Sequence, residues 1–163
     1  MKIHDCANEN YRKTLNCALR LLTPRDHSCH ELVRKLKQRG YEQDDIRQAV
    51  AECLRLDYLN DERTAQIFIQ QLARRGYGIK RIRYELNKKG LRGKLFEDIL
   101  ARSISEADEL AGARRVLQKK LKYYEHGGDP LKRRDKLYRF LYARGFSEGV
   151  ITQSLQQIDK RDQ

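Results

Sequence analysis

Between residues 74 and 94 the chain carries nine basic side chains and a single acid, Glu85, and between residues 114 and 144 it carries eleven basic and three acidic ones. Ammonium and guanidinium groups at that density bind phosphates and carboxylates, but they do not by themselves break bonds. Each window is +8 and together they are +16, whereas the 163-residue chain is +12, so everything outside them is net −4. Positive charge is therefore segregated, which suits a polyanion or an acidic protein groove better than solubility alone. The competing reading is a Lys/Arg-rich helical surface that is merely solvated. Tyr84, Tyr123, Tyr124, Tyr138 and Tyr142 lie among these cations, where a tyrosine can stack on a base or pack half-buried on a bundle.

Groups for bond-making chemistry are sparse. The sequence has no GxxxxGK[ST] phosphate loop, no GxSxG and no HExxH, and most acids sit at helix starts, where compensation of the helix dipole accounts for them. Asp61 and Glu62 are adjacent, so on a helix they point about 100° apart and make a poor acid/base pair. Cys6, Cys17, Cys29 and Cys53 form no CxxC, and His4-x-Cys6 with His27-x-Cys29-His30 lacks the spacing of a zinc site, so these read as reduced thiols. The expectation is a non-enzyme without cofactor or metal.

The elements that position the cations are helices. With 36% charged residues and a mean hydropathy of −0.86, little of the chain lies far from water, and no run of 18 apolar residues or signal-like segment occurs, so a soluble, cytoplasmic, monomeric protein is expected. Leu15, Ala18, Leu19 and Leu22 mark a helix ending near Pro24. Ser28-Cys29-His30-Glu31 is a capping box opening a second helix, with Leu32 and Leu36 inward, that ends at Arg39-Gly40. A third carries Ile46, Ala49, Val50, Cys53 and Leu54. Asn60 or Asp61 caps the next, whose Ala65, Phe68, Ile69 and Leu72 form one stripe before Arg74-Arg75-Gly76. After Gly78, Ile79, Ile82 and Leu86 face inward up to Lys88-Lys89-Gly90, and Phe96, Ile99, Leu100 and Ile104 give a sixth helix. Ser105 with Asp108 opens a seventh carrying Leu110, Ala113, Leu117 and Leu121. His126-Gly127-Gly128 breaks it, Asp129-Pro130 starts an eighth with Leu137, Phe140 and Leu141, and Ser147 caps a ninth with Ile151, Leu155 and Ile158.

The same spacing recurs at Leu32/Leu36/Gly40/Tyr41, Ile82/Leu86/Gly90/Leu91 and Leu137/Leu141/Gly145/Phe146, and each continues with apolar pairs Ile46/Val50, Phe96/Leu100 and Ile151/Leu155. Periods of 50 and 55 residues fit one three-helix unit each. The fold class expected is all-α, with nine helices in three tandem three-helix repeats, 1–58, 59–105 and 106–163, forming an elongated array able to curve.

The motifs YLNDERTAQIF, ARRGYG and RIRYELNKKGL, with RDHSCHELVRKLKQRGY upstream, resemble the RecX family of bacterial recombination regulators. The likeness is strong over residues 12–104 and weaker in the third repeat. Asn60 stands where the family has its first aspartate, and Thr64 where an aromatic or apolar residue is common. The resemblance implies binding of the RecA–DNA filament along its groove, across adjacent protomers, and lowered strand exchange, ATP hydrolysis and co-protease activity. The partners implied are the RecA filament and the single-stranded DNA within it, with bare DNA as a further candidate and no membrane. A module that binds single- or double-stranded nucleic acid directly is the alternative. The candidate partner-binding residues, drawn from the motif and the basic windows, are Arg63, Arg74, Arg75, Lys80, Arg81, Arg83, Lys88, Lys89, Arg114, Arg115, Lys119, Arg133 and Arg134. Asp61, Gly76, Tyr77, Gly78 and Gly90 are assigned to the structural motif.

The threefold register carries a first expectation: a far-UV circular dichroism spectrum dominated by helix and a solution scattering profile longer than a sphere of 19.3 kDa. A substantial strand signal or a compact spherical profile contradicts the tandem-bundle reading.

Overall fold

A computed structural model describes residues 3–121 and 130–159; the breaker His126-Gly127-Gly128, the cap Asp129, Tyr123 and Tyr124 lie outside the described residues. Among those described there are nine α-helices and no strand: α1 (Ile3–Leu22), α2 (Cys29–Gln38), α3 (Gln43–Arg55), α4 (Asp61–Arg74), α5 (Ile79–Lys88), α6 (Lys94–Ser103), α7 (Glu106–Leu121), α8 (Pro130–Ala143) and α9 (Glu148–Asp159). The chain divides into two compact units, Met1–Ala65 with Asn87–Arg92 and Gln66–Leu86 with Gly93–Gln163. The residues expected to form a central module, 59–105, are thus shared between the two.

The glycines of the repeat end helices as the sequence implies. Gly40, Gly90 and Gly145 have φ of +80°, +79° and +79°, and Gly76 matches them at +79°. At Gly40 the amide donates to Lys37 O and the Tyr41 amide donates to Leu36 O, the paired bonds that satisfy the last carbonyls of a helix when the next residue turns left-handed.

In the first unit α1 packs on α3 and α2, burying Ala18, Leu32, Leu36, Ile46, Cys53 and Leu59, with Leu15, Leu19, Leu22, Tyr41 and Val50 at the margin. Leu54, expected inward, is instead 46% exposed, because the 100° step per residue turns it away once Cys53 faces the core. Ser28 Oγ accepts from the Glu31 amide at 3.1 Å and Glu31 Oε2 from the Ser28 amide at 3.4 Å, so the capping box forms. Asn60, not Asp61, caps α4, its Oδ1 accepting from the Arg63 amide at 3.0 Å. Asp61 reaches the start of a different helix, accepting from the Cys29 amide at 2.7 Å. Thr64 is buried and its hydroxyl donates to His27 O, so its polar group is satisfied inside the first unit.

Lys89 corrects an assignment. Its side chain is 14% exposed with Nζ 2.7 Å from Glu31 Oε2, and its carbonyl accepts from the Ser28 hydroxyl at 2.5 Å. It is engaged inside the first unit rather than displayed to a partner, because Gly90 brings the chain against His30, which a Cβ at Gly90 would strike. His27 is equally committed. Lys35 Nζ can only donate, so Nε2 accepts at 2.8 Å and Nδ1 carries the proton to Arg25 O at 3.0 Å.

In the second unit α7 packs on α9 and α8 around Ala113, Leu117, Leu137, Leu141, Phe146, Val150, Ile151 and Leu155. Ser105 and Asp108 form the second capping box, Ser105 Oγ accepting from the Asp108 amide at 3.1 Å and Asp108 Oδ2 from the Ser105 amide at 3.0 Å. Ser147 opens α9 with its carbonyl, which accepts from the Ile151 amide at 2.9 Å. Its hydroxyl does not serve the helix as a sequence-based cap would, and bonds Glu109 Oε2 at 3.1 Å.

Acid should unfold the first unit in two stages. Burial holds His27 below its ordinary 6.5, so the unfolded state takes a proton first and stability falls as pH drops below that value. Burial alone would raise Glu31, but the hydrogen bond and charge of Lys89, the Ser28 amide and Arg25 together hold it below its ordinary 4.5. The stability it contributes is present above that pH and lost as pH falls through its lowered value. Glu31→Gln should therefore cost roughly 1–3 kcal/mol at pH 7, and the gap to the parent in urea unfolding should narrow below pH 4.5. A gap independent of pH contradicts the ionised pair.

Candidate functional site

Two helix ends of the second unit are bound together by backbone. At the end of α4 the Gly76 amide donates to Ala73 O and the Tyr77 amide to Leu72 O; at the end of α8 the Gly145 amide donates to Tyr142 O and the Phe146 amide to Leu141 O. The Gly78 amide then donates to Arg144 O and the Lys80 amide to Gly145 O, both at 2.9 Å. A Cβ on Gly78 would overlap Gly145 O and the Phe146 backbone, and one on Gly145 would overlap the Arg81 backbone. Gly78 is thus required by close approach and Gly76 by positive φ. The buried carboxylate of Glu109 holds the joint from below, Oε1 accepting from the Ile79 and Ser147 amides, each at 3.1 Å. Arg144 closes it from outside, Nη1 donating to Arg75 O at 3.2 Å and Gly76 O at 3.1 Å, with its guanidinium over Phe140 and Tyr77. Arg115 Nη2 donates to Ala73 O at 3.1 Å, so arginines cover the carbonyl end of α4.

Sequence reasoning did not single out Glu109 or Arg144. A faint signal for Arg144 existed, since Arg39-Gly40, Arg75-Gly76 and Arg144-Gly145 repeat one pair. None marked Glu109, whose place in the first turn of α7 reads locally as dipole compensation.

The candidate cations fall into two electrostatic classes. On and beside α5, most face acids: Lys80 lies 3.5 Å from Glu148, Arg81 2.7 Å from Glu85 one turn along the same helix, and Arg83 2.9 Å from Glu97. Arg63, in the first unit, is paired with Asp57 at 2.8 Å and also donates to Asp57 O. Lys88 is exposed. The other class lines an open cleft of about 370 Å³ formed by Arg74, Arg75, Arg115, Val116, Lys119, Lys120, Phe140 and Arg144. Among the described residues no carboxylate lines this cleft, and none pairs with Arg74, Arg75, Arg115, Lys119 or Arg144. Arg114, next to it in sequence, has its Nε buried without a hydrogen-bond partner among the described residues. On α8, Arg134 is exposed and Arg133 half-buried.

The exposed tyrosines sit with the first class. Tyr142 and Tyr138 stack with ring centroids 6.3 Å apart, Lys80 Nζ lies 5.8 Å from the Tyr142 centroid, and Arg81 sits over Tyr84 at 5.4 Å. In the first unit Cys29 is no nucleophile: burial and the Asp61 carboxylate push its thiol up to about 12.

Gly78→Ala should lower stability by roughly 1–3 kcal/mol, because its methyl meets backbone that has no room to move. Gly149→Ala, where a Cβ meets nothing within 4 Å, should be neutral or gain up to about 1 kcal/mol. Equal effects in thermal or urea unfolding contradict the close approach.

Three family models match the chain: the first three-helix domain of RecX over residues 15–53, the second over 60–100 and the third over 107–155. The chain is 36% identical over 147 residues to the regulatory protein RecX of Legionella pneumophila (strain Corby), covering 90% of this chain and 95% of the relative. It is 35% identical over 158 residues to that of Salmonella typhimurium, covering 91% and 90%. A crystal structure of RecX from Lactobacillus salivarius shares the fold with a TM-score of 0.82 at 24% identity, over 93% of this chain and 98% of that one. Helix content, repeat spacing, family models and full-length relatives agree, and the chain belongs to the RecX family.

Proposed function

We propose that this protein regulates the RecA recombinase, binding the RecA–DNA filament in its groove across adjacent protomers and lowering strand exchange, ATP hydrolysis and co-protease activity. In this reading it acts without catalysis of its own, as a cytoplasmic monomer built of modules 1–58, 59–105 and 106–163. The observation that carries it is the cluster of Arg74, Arg75, Arg115, Lys119 and Arg144 in the second unit, with which no carboxylate pairs among the described residues. A field left open in this way attracts a polyanion, and a nucleoprotein filament is one. Direct action on nucleic acid is the second reading, favoured by the exposed Tyr138 and Tyr142 stack beside Lys80, a surface on which bases can stack.

The test is strand exchange and DNA-dependent ATP hydrolysis by RecA with substoichiometric protein, set beside binding to bare single-stranded DNA. Inhibition well below one molecule per protomer is the expected result, and salt should weaken it steeply. RecA activity unchanged at equimolar protein, with tight binding to bare DNA, hands the function to the second reading.

A further inference from the structure

The turn that follows the second helix of a repeat is occupied at Gly90 and at Gly145, and open at Gly40. In the first unit the start of α2 lies on the Lys89-Gly90 turn through three contacts. Ser28 Oγ donates to Lys89 O at 2.5 Å, Glu31 Oε2 lies 2.7 Å from Lys89 Nζ, and His30 packs where a Cβ on Gly90 would fall. In the second unit the start of α5 takes the corresponding place, the Gly78 and Lys80 amides donating to Arg144 O and Gly145 O, with Arg81 where a Cβ on Gly145 would fall. Gly40 has the same geometry, with φ +80°, yet a Cβ there meets nothing within 4 Å. Arg39 O and Gly40 O accept no hydrogen bond among the described residues. Lys37 and Arg39 are exposed, and no described carboxylate pairs with either.

The element that fills such a turn also occurs exposed in this chain. Ser28-Cys29-His30-Glu31 is a capping box, and α7 opens on the other one, Ser105-Glu106-Ala107-Asp108. All four of these residues are exposed, and the Glu106 side chain has no ion pair or hydrogen bond among the described residues. We propose that the α7 start of a second copy of this chain docks on the open turn after α2. The contacts of the occupied turn translate residue by residue. The Ser105 hydroxyl, which donates to Asp108 Oδ2 at 2.6 Å in the free chain, turns to Arg39 O; Ala107 takes the place of His30 over the glycine; and Asp108 faces Arg39 as Glu31 faces Lys89. An aspartate is shorter than a glutamate, and an arginine reaches farther than a lysine, so the pair spans a similar gap. Glu106 and Asp108 meet the cations Lys37 and Arg39, and the amide end of one helix meets the carbonyl end of the other. The start of α8 is the poorer fit: it begins 15 residues before its glycine, against 11 from Cys29 to Gly40 and from Ile79 to Gly90, and it opens on Pro130, which has no amide hydrogen to give. Two different surfaces meet in this contact, so each pair leaves one of each free and further copies add in a row. One such contact holds with a Kd of about 1 mM, which leaves the protein monomeric when dilute. On a filament of the kind proposed above, neighbouring copies reach that effective concentration and bind cooperatively; this consequence rests on that reading, and the contact itself does not.

The test is sedimentation velocity of the full-length protein alone, from about 10 μM to about 1 mM at about 0.05 M salt. The weight-average sedimentation coefficient should rise with concentration and return to that of the monomer at about 0.5 M salt, where the facing charges are screened. Gly40→Asn places a side chain on the open turn at a left-handed position that asparagine tolerates. E106K/D108N removes the acidic character of the α7 start and keeps an amide oxygen for its cap. Each variant alone should remain monomeric at about 1 mM, with the helix content of the parent in circular dichroism. Mixed in equal amounts they should form pairs and nothing larger, because one keeps an intact α7 start and the other an intact α2 turn. R39Q, which removes an exposed cation, should weaken association at least about threefold without altering the melting temperature. Gly149→Asn adds the same side chain where a Cβ meets nothing within 4 Å, and should associate as the parent does. A parent that is monomeric at the highest concentration, variants that associate like it, a mixture that fails to recover pairs, or a loss in Gly149→Asn equal to that in Gly40→Asn overturns the contact. Association as expected beside unchanged RecA strand exchange overturns the RecA reading and leaves the contact standing.

Discussion

A carboxylate from one repeat accepts the first amide of the second helix of the repeat before it, and the assembly of each unit depends on that bond. In the first unit Asp61, opening α4, takes the Cys29 amide of α2; in the second, Glu109 on α7 takes the Ile79 amide of α5. A helix start leaves amides without partners and carries the positive end of the dipole, so a carboxylate there satisfies both demands. The bond is long-range, and it fixes which helix start faces which repeat. The rest of the joint repeats with it. The Ser28 hydroxyl donates to Lys89 O, and the Gly78 amide donates to the equivalent Arg144 O. A Cβ at Gly90 would strike His30 and a Cβ at Gly145 would strike Arg81.

Electrostatics follow from this geometry. Lys89 is drawn to Glu31 because the turn at Gly90 lies against α2, and a cation from the basic window becomes part of the fold. Arg144 and Arg115 are drawn over the carbonyls at the end of α4, but carbonyls carry only partial charge, so the guanidinium field is anchored without being cancelled. The two kinds of anchoring have opposite consequences for a partner. Ion pairing on α5 removes field, while carbonyl capping at the α4 end leaves it in the cleft.

The periodic features were legible without a structure. Apolar positions at 3.6-residue spacing, four left-handed glycines, the Ser28 and Ser105 capping boxes and the helical class all depend on residues within one or two turns of each other, and each forms as read. Leu54 and Ser147 depart from expectation for the same reason: a stripe or a cap motif tolerates more than one local geometry, and the neighbour decides.

The sequence by itself determined the helices, their ends and the segregation of positive charge, because those are properties of neighbouring residues and of sums. Only the tertiary structure decided which cations remain open. Glu97, Glu148 and Glu31 lie 14, 68 and 58 residues from Arg83, Lys80 and Lys89, and a carboxylate at a helix start reads identically whether it serves its own helix or another. Asp61 and Glu109 look like local caps in the sequence and prove to be the joints between repeats, since the amide each one satisfies is brought to it by packing alone.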